Sequence, residues 1–152
     1  MAKGMPPYDF EESVGYWVVT TARALQRALN EELAPHGITF PQWQVIGWLA
    51  AEGECCQAEL AQRVGVEPPT LKGLLDRMQR RGWIERVACP GDARRKIIRL
   101  TPAVRPIWKR ISEGALRVRA RASNGLGPTR LHALRGTLAR LRTNLGYEET
   151  PR

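Results

Sequence analysis

The sequence predicts a mainly α fold with a small β hairpin: a winged helix-turn-helix flanked by long dimerisation helices. Three observations carry that prediction. Apolar residues recur at spacings of three and four in several long segments, the mark of helices with one buried stripe. A short turn, GVE, led by Gly65, joins two of those segments. Directly after them, WIERVA and IIRLT read as strands around the turn-forming stretch CPGDARRK. The 152 residues suit a single domain, 1–152, with 9–35 and 102–146 as flanking helices and 39–101 as the winged helix-turn-helix.

The first helix begins at Asp9, after a loose arm, MAKGMPPY. Phe10, Val14, Trp17, Val18, Thr21, Leu25, Ala28, Leu29 and Leu33 give it one apolar stripe of about seven turns. Pro35 and Gly37 stop it. A helix this long in a small domain needs cover along its whole length, which a second subunit would supply. Thr39 is placed to cap the second helix, Gln42–Ala51, with Pro41 in the first turn. Trp43, Ile46, Leu49 and Ala50 face inward, and AEGECC is read as a loop. Gln57–Val64 is the third helix, burying Leu60, Ala61 and Val64.

Glu67 and Pro68 open the fourth helix, PPTLKGLLDRMQRR, with Leu71, Leu74, Leu75 and Met78 inside and Gly82 as its C-cap. Strands are expected at Trp83–Val87 and Ile97–Leu100. Thr101 and Pro102 start the fifth helix, which turns Val104, Ile107, Trp108, Ile111, Ala115 and Val118 inward. After SNGLGP, Leu131, Leu134, Leu138, Leu141 and Leu145 form the stripe of a sixth helix, and GYEETPR is a tail.

The formal net charge is +9 and its distribution is uneven. Residues 1–56 hold 3 Lys/Arg against 7 Asp/Glu, 57–101 hold 10 against 5, and 102–152 hold 11 against 3. A polyanionic partner is therefore expected on the middle unit and the last two helices. Three cysteines, Cys55, Cys56 and Cys89, have no disulfide-framework or zinc spacing. No apolar run is long enough for a membrane span or signal peptide, so a cytoplasmic protein is expected. No Ser/His/Asp set, glycine-rich phosphate loop or apolar carboxylate pair is present. Neither an enzyme nor a cofactor is expected.

The fourth helix leaves Thr70, Lys72, Gly73, Asp76, Arg77 and Arg80 to solvent or a partner. Such a helix enters a major groove with its first residues at base edges, while its N-terminal N–H groups meet a phosphate. Gln57 opens the companion helix as a further DNA-binding candidate. The hairpin adds Arg94, Arg95 and Lys96 where phosphates and a minor groove lie. Double-stranded DNA is the expected partner. A non-specific architectural nucleic-acid binder is the alternative that charge alone supports.

From VGVEPPTLKGLLDRMQRRGWIERVACPGDARRKIIRLT the chain resembles the multiple-antibiotic-resistance regulator (MarR) family, and within it the SlyA-like branch. The hairpin signature stands as Asp92-x-Arg94, five residues, then Leu100-Thr101. The resemblance implies an obligate homodimer joined by the first, fifth and sixth helices. It implies a transcriptional regulator, usually a repressor, on a palindromic operator. It also implies Arg94 in a minor groove, Asp92 orienting a neighbouring arginine, and Pro69, Thr70 and Lys72 at the groove end of the recognition helix. The chain departs from the family at Gly73, where many members have Arg. That shifts weight to the wing, Lys72 and Arg77.

The resemblance further implies a small aromatic or phenolic effector, held between the dimer helices and the DNA-binding unit. Trp17, Arg23, His36 and Trp43 are the candidates, since indole walls and one cation suit an aromatic carboxylate. Trp17 and Trp43 also fit the inward stripes as core residues. Family members that sense peroxide carry a cysteine early in the first helix, and this chain has none there. The redox alternative is Cys89, where nearby Arg94 and Arg95 would favour the thiolate and oxidation would move the wing.

Overall fold

The computed structural model describes residues 9–90 and 92–147, with the side chains of Asp92, Ala93 and Arg94 outside that description. The expected arm at 1–8 and the end of the expected tail, 148–152, also lie outside it. The order is α1 (Val14–Leu33), α2 (Phe40–Glu52), β1 (Cys55–Cys56), α3 (Gln57–Val64), α4 (Pro68–Arg80), β2 (Ile84–Cys89), β3 (Asp92–Leu100), α5 (Arg105–Ala122) and α6 (Pro128–Asn144). Short 3-10 turns, Ala34–His36 and Pro102–Val104, follow α1 and precede α5. The fold is mostly helical with a small antiparallel sheet, as expected. The chain forms two compact units, Met1–Val118 and Arg119–Arg152.

In the first unit, Leu33, Ile46, Leu60, Leu71, Leu75, Met78, Ile84, Ile98 and Ile111 are fully buried. Each such side chain stabilises by roughly 1.5–3 kcal/mol before entropy is counted. α1 starts later than its stripe suggests. Asp9 Oδ1 accepts from the N–H groups of Glu11 (2.9 Å) and Glu12 (3.3 Å), and this turn delays the helix to Val14. Only the C-terminal end of its stripe, Leu29 and Leu33, is buried. Trp17, expected as core, is exposed.

α2 opens on a capping box. Thr39 Oγ1 accepts from Gln42 N (3.5 Å), and Gln42 Oε1 accepts from Thr39 N (3.0 Å). Its buried face is Gln42, Val45, Ile46 and Leu49, with Trp43 half-buried and Ala50 exposed rather than inside. α2 is apolar on nearly all sides, so its inner face was ambiguous.

The sheet order is β1-β3-β2, antiparallel throughout. AEGECC is not only a loop: Cys55 pairs with Ile98 and Cys56 with Ile97. β2 and β3 pair from Ile84↔Leu100 to Ala88↔Lys96, with a register shift before Cys89↔Asp92. The hairpin turn is thus shorter than expected, and Arg94, Arg95 and Lys96 belong to β3.

Thr101 does not cap α5. Its hydroxyl donates to the Gly82 carbonyl and its N–H to that of Trp83 (3.0 Å), which closes the base of the hairpin. α5 approaches α1 closely at Gly114, where an added Cβ would meet Glu32 Cβ at 3.0 Å. Arg117 Nη2 reaches Glu32 Oε2 at 2.7 Å beside it.

In the second unit, α6 runs from Pro128 to Asn144, and beyond it Gly146, at φ 78°, lets Tyr147 N–H reach the Arg142 carbonyl (2.9 Å). Leu131 and Leu141 are half-buried, whereas Leu134 (48% exposed), Leu138 (38%) and Leu145 lie at the surface. Among the described residues no helix is long and apolar enough to cross a membrane.

Candidate nucleic-acid interface

The turn between α3 and α4 depends on Gly65, at φ 70°, a region that β-carbons disfavour. Both Gly65 N–H (2.9 Å) and Val66 N–H (3.2 Å) donate to the Ala61 carbonyl. This closes α3 and redirects the chain. α4 then buries the predicted residues, Leu71, Leu74, Leu75 and Met78. Glu67 makes no side-chain cap, but Pro68 and Pro69 carry no N–H, so of the first three residues of α4 only Thr70 has a backbone N–H to offer an anion, fewer than expected of a helix start. Pro69, Thr70, Lys72, Arg77 and Arg80 are exposed, and Gly73 and Asp76 are half-exposed among them.

Asp76 organises this face. Its carboxylate accepts from Arg86 Nη1 (2.6 Å) and Lys72 Nζ (3.1 Å). Arg86 stands on β2, and it also donates to Gln79 Oε1 (3.0 Å) and to the Lys72 carbonyl (3.3 Å). One guanidinium therefore ties the recognition helix to the sheet that carries the wing. The Arg86 hydrogen bond, then that of Lys72, holds the Asp76 carboxyl below its usual range. Sequence reading left Arg86 unremarked. The available signal was a cation inside a strand, WIERV, following an i,i+4 Lys–Asp pair. Lys72, expected at the groove end, turns toward Asp76, and an exposed pair of this kind is weak and easily exchanged for a phosphate.

β1 places Gln57 next to β3, because Cys56 pairs with Ile97, one residue from Lys96. Gln57 is half-buried, and Arg95 and Lys96 are exposed. Glu59 Oε2 accepts from Cys56 N (3.0 Å), and that backbone bond chiefly keeps its carboxyl below the usual range, with Arg95 adding to the effect. The expected roles of Asp92 and Arg94 concern side chains outside the described part.

The effector candidates have separate surroundings. Trp17, 56% exposed, donates from Nε1 to the Glu11 carbonyl (2.7 Å) and meets Tyr16 edge-on (5.4 Å). Trp43 stacks at a tilt on Phe40 (5.7 Å), and its buried Nε1 has no hydrogen-bond partner among the described residues. Arg23 lines a shallow depression of about 450 Å³ with Gln26, Arg27, Asn30, Glu31 and Ala34. Trp17, His36 and Trp43 are not among its walls. The Cys89 thiol donates to the Pro90 carbonyl (3.6 Å). Burial, then the nearby Glu59 charge, pushes the Cys55 thiol up to about 11, so it stays protonated and unreactive near neutral pH.

Residues 36–95 match the model of the MarR family. The solved transcriptional regulator PA3341 is 33% identical over 90% of this chain and 100% of that one, with a TM-score of 0.83. NadR, solved in complex with 4-hydroxyphenylacetate, is 26% identical over 90% of this chain and 97% of that one, with a TM-score of 0.78. A MarR-family regulator from Silicibacter pomeroyi shares the fold at 23% identity and a TM-score of 0.82, over 93% of this chain and 96% of that one. The matched stretch contains the Gly65 turn and the Asp76–Arg86 tie just described, and the likeness to PA3341 runs through the helices on either side. On that basis the chain belongs to the MarR family of transcriptional regulators.

Proposed function

We propose that this regulator is a homodimer that binds a palindromic operator through α4 and the β2–β3 wing, acting as a cytoplasmic repressor of the SlyA-like kind. The observation that carries the proposal is α4 itself. Four apolar side chains fix its inner face, and Thr70, Lys72 and Arg77 stand outward. The outward side chains near the start of such a helix reach base edges. Arg95 and Lys96, with Gln57 beside their strand, supply backbone contacts, and Arg94 and Asp92 take the wing roles that the family resemblance implies. Exposed Val14, Trp17, Val18 and Leu25 on α1, Leu116 on α5, and Leu134 and Leu138 on α6 support the pairing of two copies.

A small aromatic acid is the proposed effector. Trp43 Nε1 has no acceptor among the described residues, and Arg23 offers a cation on the helix that α2 follows. NadR, a relative at 26% identity, was solved with 4-hydroxyphenylacetate. Trp17 and His36 complete the candidate set.

Selection of the full chain against random duplexes at fixed salt tests the proposal. The expected product is a palindrome with half-sites about one helical turn, ~10 base pairs, apart. Millimolar 4-hydroxyphenylacetate is expected to weaken binding to it. Equal affinity for all sequences, with a steep salt slope, would make the chain an architectural binder instead.

A further inference from the structure

We propose that Arg77 is the side chain through which α4 reads sequence, that it reads a guanine, and that Gly73 is the gap that lets its guanidinium do so. The inference rests on the reading of α4 as a DNA-recognition helix.

Gly73 is the puzzle that leads there. Glycine is the least favourable residue after proline for a helix interior, and Gly73 lies in the middle of α4. Its backbone does not require glycine, since its φ is not among the positive ones. Packing against the core does not require it either. A Cβ at this position would meet one atom within 4 Å, Arg77 Nη1 at 3.7 Å. The space above Gly73 is therefore next to the Arg77 guanidinium, and a side chain longer than alanine would compete for it.

That geometry delivers the charge to the useful end of the helix. Helical side chains lean toward the N-terminus. Arg77 does so by a full turn, so its guanidinium stands level with residue 73, roughly 6 Å nearer the helix start than its own Cα. The N-terminal half of a recognition helix is where base edges are met.

The other cations of the face are engaged. Lys72 Nζ pairs with Asp76 (3.1 Å), Arg86 Nη1 holds the same carboxylate (2.6 Å), and Arg80 Nε donates to the Asp76 carbonyl (3.4 Å). Arg77 has no carboxylate partner among the described residues. It also carries a planar fork that matches guanine O6 and N7, which a lysine ammonium does not. Asp76 thus leaves one guanidinium open at the groove and gives the neighbouring lysine a phosphate-contacting role at most.

The test uses the full chain and the duplex selected from random sequence. Affinities are measured at one salt concentration for that duplex and for versions with each symmetric G·C pair changed to A·T. Wild type is expected to lose roughly 10- to 100-fold at one such pair. Arg77→Ala and Arg77→Lys are expected to bind both duplexes alike, with Arg77→Lys keeping wild-type affinity for random DNA. Gly73→Leu, which fills the gap, is expected to lose the same preference. Lys72→Ala is expected to weaken binding to all sequences and keep the preference. Arg77→Lys retaining the full G·C preference, or Lys72→Ala abolishing it, would overturn the assignment. Gly73→Leu retaining it would overturn the role of the gap. The conservative Arg77→Lys keeps the test decisive if Arg77→Ala unfolds. Failure of wild type to select any sequence would instead overturn the reading of α4 itself, before any variant is made.

Discussion

Asp76, itself only half-buried, sets the geometry of the outward face of α4. Its carboxylate joins α4 to β2 through Arg86, and its carboxyl is held below the usual range first by that bond. A carboxyl depressed in the folded state stabilises above its unfolded pKa, near pH 4, and that stability is lost as pH falls through the folded value. Asp76→Asn is therefore expected to lower stability at pH 7. The gap from wild type should close as pH drops below about 4. Urea midpoints measured from pH 7 to pH 3 check this, and a gap that ignores pH would exclude an ionic role. The pair shows where residue-level legibility ends. The Thr39 cap was readable because donor and acceptor lie three residues apart. Arg86 was not, because its carboxylate lies ten residues away on another element, and only the reversal of the chain at Gly82 and the packing of β2 on α4 bring the two together.

At the scale of elements, legibility followed the one-sidedness of each pattern. α4 has a sharp apolar stripe, and all four of its inner residues were read correctly from sequence. α2, nearly apolar all round, hid its face and misplaced Ala50. β1 is two residues long, too short for any period, and is defined only by its pairing with β3. The turn between α3 and α4 was readable because Gly65 occupies a left-handed conformation. Its environment is open, with nothing within 4 Å of an added Cβ. Gly65→Ala is accordingly expected to cost only the backbone term, about 1–2 kcal/mol. Leu75→Ala, which empties a fully buried site, is expected to cost about 2–5 kcal/mol. Chemical denaturation ranks them. An alanine at 65 as costly as one at 75 would mean that the turn carries tertiary contacts as well as conformation.

For the whole molecule, the division of charge was legible, whereas the assembly was not. Residues 119–147 contain six arginines and no Asp or Glu, while residues 1–56 are net acidic. Spacing along one chain does not say which copy a stripe packs against. The leucines of α6 repeat as a helix-packing stripe, yet Leu134 and Leu138 stand exposed, as do Val14, Trp17 and Leu25 of α1. If two copies cover these faces, substitutions there cost the single chain little and the assembly much. Leu134→Glu with Leu138→Glu is expected to leave the helical circular dichroism unchanged and to convert a dimer into a monomer at micromolar concentration. Sedimentation equilibrium distinguishes the two. The same variant should bind one half-site but lose affinity for the full palindrome, because the second half-site no longer gains from a linked partner. A variant that still sediments as a dimer would place the interface away from the α6 stripe. A wild type that sediments as a monomer would remove the symmetry on which a palindromic operator depends.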